Sequence, residues 1–140
     1  CFALNIPLIS VETLLSLRAL VANEEKSIIP MIDARRMEVY AAVYSSELAE
    51  VSPQEAHILA PESFQDFSPV VAFGNGAAKW QSICSHPSIT FIDEPLLPEA
   101  KYMGQLAYDA YLNQKFENLV TKEPDYLKEY MGTKPKLKSL

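Results

Sequence analysis

The stretch Met31-Ile32-Asp33-Ala34-Arg35-Arg36-Met37-Glu38-Val39-Tyr40-Ala41-Ala42-Val43-Tyr44 decides the fold class of this chain. An apolar run reaches Asp33, and a tight charged turn, Ala34 to Met37, follows it. From Glu38 onward Val39, Ala41 and Val43 alternate with Tyr40, Ala42 and Tyr44. Period-two spacing rich in β-branched and aromatic residues predicts a strand, so the whole predicts a β-hairpin over residues 28–45. Both faces of the second strand are apolar, which is the pattern of a strand covered on both sides.

Working outward, the residues upstream of the hairpin predict a helical last turn at Cys1 to Leu4, ended by Asn5, and then a short strand over 6–9. Ser10 is a good N-cap for a helix over 11–22, made apolar over much of its girth by Leu14, Leu15, Leu17 and Leu20. Downstream, residues 47–53 are polar and turn-like, and 56–59 predict a strand. A short helix is expected over 61–67. Val70-Val71-Ala72-Phe73 predicts a buried strand, Gly74-Asn75-Gly76 a turn, and 77–84 a helix. A short strand over 90–92 and a helix over 98–115 complete the pattern. That last helix carries Ala100, Met103, Gly104, Ala107, Tyr108 and Tyr111 on one face. Residues 131–140 read as a flexible tail. Strands alternating with helices, plus one antiparallel hairpin, predict an α/β fold with a mixed sheet and flanking helices.

A chain of 140 residues fits a single domain. Its 49% hydrophobic and 21% charged content is ordinary for a globular protein. No apolar run approaches the roughly 18 residues of a membrane span, so no membrane association is expected. The net charge of −6 argues against nonspecific nucleic-acid binding over the whole surface. Two cysteines, Cys1 and Cys84, are too few for a disulfide framework and fit a reduced, cytoplasmic setting. The chain opens inside an element without an initiator methionine, so it is expected to be a piece of a longer protein.

Few residues point to chemistry. Gly74-Asn75-Gly76, at a strand-to-helix turn, is where backbone N–H groups and a helix dipole can meet a phosphate, and it is the candidate nucleotide contact. It lacks the spacing of a P-loop or a dinucleotide fingerprint, and two glycines also serve a tight turn. His57 and His86 form no metal-ligand pattern, and no metal site is expected. No nucleophile elbow is present, and no catalytic residue is expected. Arg35, Arg36 and Glu38 crowd the hairpin turn. They suit either a phosphate or carboxylate of a partner, or a solvated turn with a local Arg–Glu pair.

Four ordered motifs carry a family resemblance. Ile6-Pro7-Leu8-Ile9-Ser10-Val11-Glu12-Thr13-Leu14 resembles the "IPLIGVSTLEAL" stretch of the bacterial TsaB (YeaZ) family. Asp33-Ala34-Arg35-Arg36-Met37-Glu38-Val39-Tyr40 resembles its "DARRGEVY" hairpin, Gly74-Asn75-Gly76-Ala77 its "GDGA" turn, and Pro124-Asp125-Tyr126-Leu127-Lys128 its closing "PxYLR". The resemblance implies one actin/Hsp70-like, RNase H-like lobe, the C-terminal lobe of a longer two-lobe protein, with the N-terminal lobe incomplete here. It implies a noncatalytic subunit that binds and activates a TsaD-like transferase, with a TsaE-like ATPase joining them, in making threonylcarbamoyladenosine on tRNA. Contact with tRNA would be indirect. No cofactor is implied within this lobe, and any ATP or ADP would sit at an interface shared in the full complex. The transferase carries an HxxxH helix after its equivalent of residues 6–11. Here that helix reads Val11-Glu12-Thr13-Leu14-Leu15-Ser16-Leu17, without histidine. The helix over 98–115 completes the first lobe in that family, so its exposed face in this chain would favour a homodimer. Two alternatives remain beside this reading: a nucleotide-binding, glycoprotease-like enzyme of the same superfamily, and a generic protein-interaction module.

Overall fold

The computed structural model describes residues 1–21, 25–94 and 96–128. The expected tail over 131–140 lies outside the described residues. The hairpin forms as its alternation requires: β1 (Ser27–Asp33) pairs antiparallel with β2 (Glu38–Tyr44), placing Asp33 opposite Val39 and Ile28 opposite Tyr44. β3 (Glu50–Ile58) adds antiparallel to β2. β4 (Val70–Phe73) lies parallel to β1, and β5 (Ile89–Phe91) parallel to β4. The result is a mixed five-stranded sheet in the order β3-β2-β1-β4-β5, flanked by helices, an α/β fold.

Period two divides the hairpin between two cores. Ile29 and Met31 of β1, Val39, Ala41 and Val43 of β2, and Val70 and Ala72 of β4 face one side. There they pack on Ala77 and Trp80 of α2 (Ala77–Gln81) and on Phe64 and Phe67 from the connection after β3. Ile28, Val71 and Phe73 face the other side under Leu17 and Val21. Ala42 and Tyr44 join Leu14 there, so α1 (Thr13–Arg18) caps that face. The two-sided apolar pattern of β2 is thus explained by burial on both faces. Arg18, 1% exposed, ties α1 to the β2–β3 turn by donating to the carbonyls of Ser45 (2.9 Å) and Ser46 (3.0 Å).

Several expected boundaries move. Residues 6–9 make no strand; Leu8 forms a single bridge to Glu117, while Ile6 stays half exposed. The helix expected over 11–22 begins at Thr13 with Glu12 before it. The Ser10 hydroxyl is drawn instead to the Glu117 carboxylate. That helix ends at Arg18 because the chain tightens there: the N–H groups of Leu20 and Val21 bond three residues back, to Leu17 and Arg18. The tightening drops Val21 into the core. β3 begins at Glu50 rather than at 56, running through Pro53. An edge strand tolerates a proline because its outer side needs no donor. The expected turn over 47–53 shrinks to the few residues between Ser45 and Ala49, where the Ser45 hydroxyl accepts from the N–H groups of Glu47 and Ala49.

In place of a helix over 61–67 there is a turn and a 3-10 segment, Gln65–Phe67, because Phe64 takes a left-handed φ of 57°. α2 spans Ala77–Gln81, shorter than expected, with turns carrying the chain on to Cys84. The helix expected over 98–115 is a 3-10 segment, Ala100–Tyr102, followed by α3 (Met103–Leu112). No residue of α3 is buried, and Tyr108 and Tyr111 are 57% and 54% exposed. No described helix is long and apolar enough to cross a membrane.

Candidate functional site

The hairpin tip gathers residues that lie far apart in sequence. The Asp33 carboxylate accepts from the N–H of Arg35 at 2.6 Å and from Lys79 Nζ at 2.5 Å. Lys79, from α2, also donates to the carbonyl of Glu38 at 3.2 Å. The Glu38 carboxylate in turn holds Lys128. Asn75 Oδ1 accepts the N–H of Asp33 at 2.9 Å. The Lys79 ammonium and the Arg35 N–H hold the Asp33 carboxyl below its usual range. Three of the four motif stretches therefore meet at one corner.

Arg35 and Arg36 sit at the apex of this corner, exposed, with φ of 69° and 50°. Left-handed backbone is uncommon for residues with a Cβ. Neither guanidinium makes an ion pair among the described residues. The local Arg–Glu pair is replaced by Glu38–Lys128, leaving both arginines directed at solvent.

The Gly74-Asn75-Gly76 turn is packed against the back of the hairpin. Gly74 has φ +100°, and a Cβ there would lie 2.4 Å from the Met31 carbonyl oxygen. At Gly76 a Cβ would meet Val39 Cγ1 at 2.8 Å. The Gly76 N–H donates to Met31 O at 3.1 Å and the Ala77 N–H to Gly74 O at 3.1 Å, so both amides are occupied within the turn. Gly74 is required by close backbone approach and Gly76 is favoured by the Val39 methyl pressed against it, whatever else the turn does.

Composition and spacing did not single out His57. It stands on β3 with Nε2 3.1 Å from the Ser63 hydroxyl and Nδ1 3.8 Å from Glu55. The order carboxylate–imidazole–hydroxyl has the outline of a hydrolytic triad. The carboxylate is beyond hydrogen-bond reach, Ser63 is 7% exposed, and its oxygen already accepts the Ala60 N–H at 2.9 Å. A buried hydroxyl that fastens a turn is not positioned to meet a substrate. His86 lies apart, its Nδ1 accepting the N–H of Ser88. Among the described residues no group of three or more His, Cys, Asp or Glu side chains is placed to hold a metal ion. A groove of about 1070 Å³ lies on the sheet face that carries Tyr40 and Tyr44, between α1 and α3.

No family model matches the chain, and no curated protein matches it. Solved structures do match. An uncharacterized Pseudomonas aeruginosa protein with similarity to the peptidase YeaZ aligns over 91% of this chain with a TM-score of 0.67 and 24% identity. YeaZ from Pseudomonas aeruginosa aligns over 90% with a TM-score of 0.63 and 24% identity. The match covers 62% of each of those chains, so this chain spans less than two thirds of their length. What the chain shares with them is the fold: its mixed five-stranded sheet and flanking helices are of the YeaZ kind.

Proposed function

We propose that this chain acts in threonylcarbamoyladenosine synthesis on tRNA, as a noncatalytic, TsaB-like subunit that binds and activates a TsaD-like transferase. The observation that carries the reading is the corner at the hairpin tip. Asp33 and Glu38, Asn75, and Lys128 come from three separate motifs that resemble that family, and they interlock there through Lys79. Motifs recur together when they build one structural unit, and this unit presents Arg35 and Arg36 on a braced turn. The YeaZ-like fold supports the reading, and so does the absence of histidine from the helix that follows residues 6–11. In this role the hairpin arginines contact acidic groups of the transferase or its ATPase, tRNA is reached through the complex, and the setting is the cytoplasm.

Pull-down of the transferase by the full-length protein, together with loss of modified tRNA on its depletion, tests the proposal. Unchanged tRNA modification in depleted cells would sink it. Charge reversal at Arg35 and Arg36 should weaken the pull-down without unfolding the hairpin, because neither side chain is packed. Intact capture by that variant would remove the arginines from the interface.

A further inference from the structure

The groove beside α1 offers a second surface, of a different chemistry from the hairpin tip. Its floor is Tyr40 and Tyr44 of β2, and Leu14, Leu15, Ile32 and Leu106 line its walls. Glu12 and Glu50 also line it, and neither makes an ion pair among the described residues. Asp109 and Glu123 line it too without an ion pair among the described residues, whereas Lys122 lies 3.7 Å from Glu117 and 3.6 Å from Asp125 and Lys128 holds Glu38, so acids outnumber the three lining lysines, Lys115, Lys122 and Lys128. Glu50 stands opposite Tyr44 in the β2–β3 register, on the same sheet face. Burial, then the Glu50 and Asp125 carboxylates, push the Glu12 carboxyl up against the opposing pull of Lys122. Beneath them the Tyr44 hydroxyl is buried with no hydrogen-bond partner among the described residues. An excess of carboxylates lining one groove favours an added cation, and a hydroxyl without a partner gains from one that reaches it.

We propose that this groove docks an extended segment of a partner protein, seating one of its lysine or arginine side chains between Glu12 and Glu50 over Tyr44. Charge complementarity selects the cationic head, and the apolar walls select the peptide on either side of it. A phosphate backbone would be repelled by the two carboxylates. A small polyamine carries only short methylene stretches between its charged amines, too little to cover Leu15, Ile32 and Leu106, and the groove stands at the top of the roughly 300–1,000 Å³ range of small-ligand pockets. The inference does not depend on the tRNA reading, since it rests on the groove and its unpaired acids.

Amide NMR of the full chain, titrated with the peptide acetyl-Ala-Leu-Lys-Leu-Ala-amide, tests it. Saturable shifts are expected at Glu12, Tyr44, Glu50 and Leu106. Norleucine in place of the lysine should weaken binding about tenfold, and so should Glu12→Gln combined with Glu50→Gln. Glu12 and Glu50 are exposed, so these variants should fold. The proposal is overturned by an absence of saturable shifts at millimolar peptide, or by equal affinity for the norleucine peptide. It also falls if the doubly substituted chain binds as well as the unaltered one. If Glu50→Gln alone moves the amide signals of Lys134, Lys136 and Lys138 in the free chain, the chain's own end holds the groove and the partner reading fails. Shifts that arise from raising the protein concentration without peptide would name a second copy as the occupant, with the same consequence.

Discussion

Gly74 shows how narrow the tolerance is at single positions. Alanine there must hold φ +100° and place its Cβ 2.4 Å from a backbone oxygen, so Gly74→Ala should lower stability by about 2 kcal/mol or more. Urea unfolding measures it, and a loss under about 0.5 kcal/mol, the scale of an ordinary surface substitution, would contradict the geometry. Two carboxylates predict opposite pH behaviour. Asp33 is depressed when folded, so its contribution is present above its ordinary value of 3.8 and is lost as pH falls through the lower folded value. Asp33→Ala should therefore flatten the acid limb of the stability curve, modestly, because the carboxylate is exposed and well screened. Glu12 is raised above 4.5, so its charged form is penalised at neutral pH and the penalty disappears as pH falls through the raised folded value. Glu12→Gln should then stabilise the chain at pH 7 and leave it unchanged at pH 3, by paired unfolding curves. The residue types at these positions were all visible in the sequence. That Lys79, rather than an arginine, would neutralise Asp33 was not, because no local spacing links residues 46 positions apart.

At the scale of elements, the hairpin was legible because alternation is a local property that burial on both faces then rewarded. β4 was legible for the same reason, as a short continuous apolar run between punctuating residues. β3 was not: Pro53 and its polar neighbours read as a turn, and only the free edge of β2 makes a nine-residue strand of them. Nor was the early end of α1, which Arg18 and Val21 bring about through contacts with the sheet. The hairpin turn carries its own prediction. Arg36 holds φ 50° with its side chain free, so Arg36→Gly should stabilise the turn by about 0.5–1 kcal/mol in thermal unfolding. If the arginines meet a partner as proposed, the same variant should bind that partner less well. Higher stability with unchanged binding would show that the left-handed arginine is only a tolerated accident.

Over the whole molecule, order is unevenly spread. Trp80, the single tryptophan, is fully buried and meets Phe64 and Phe91 edge-on at 5.4 Å each. α3 buries no residue. Hydrogen exchange should accordingly be fast along α3 and slow through β1, β2 and β4, with Trp80 emission unchanged while α3 opens. Equal protection of α3 would mean that its tyrosine face is covered in solution. Apolar periodicity, the glycines of the turn and the absence of metal-ligand spacing are written in neighbouring residues, so the sequence by itself determined the α/β class, the central hairpin and the resemblance they carry. Pairing across long separations depends on which surfaces meet once the chain is compact. Only the tertiary structure, therefore, decided the edge strand, the Asp33–Lys79–Glu38–Lys128 corner, and the groove where Glu12 and Glu50 make no ion pair among the described residues.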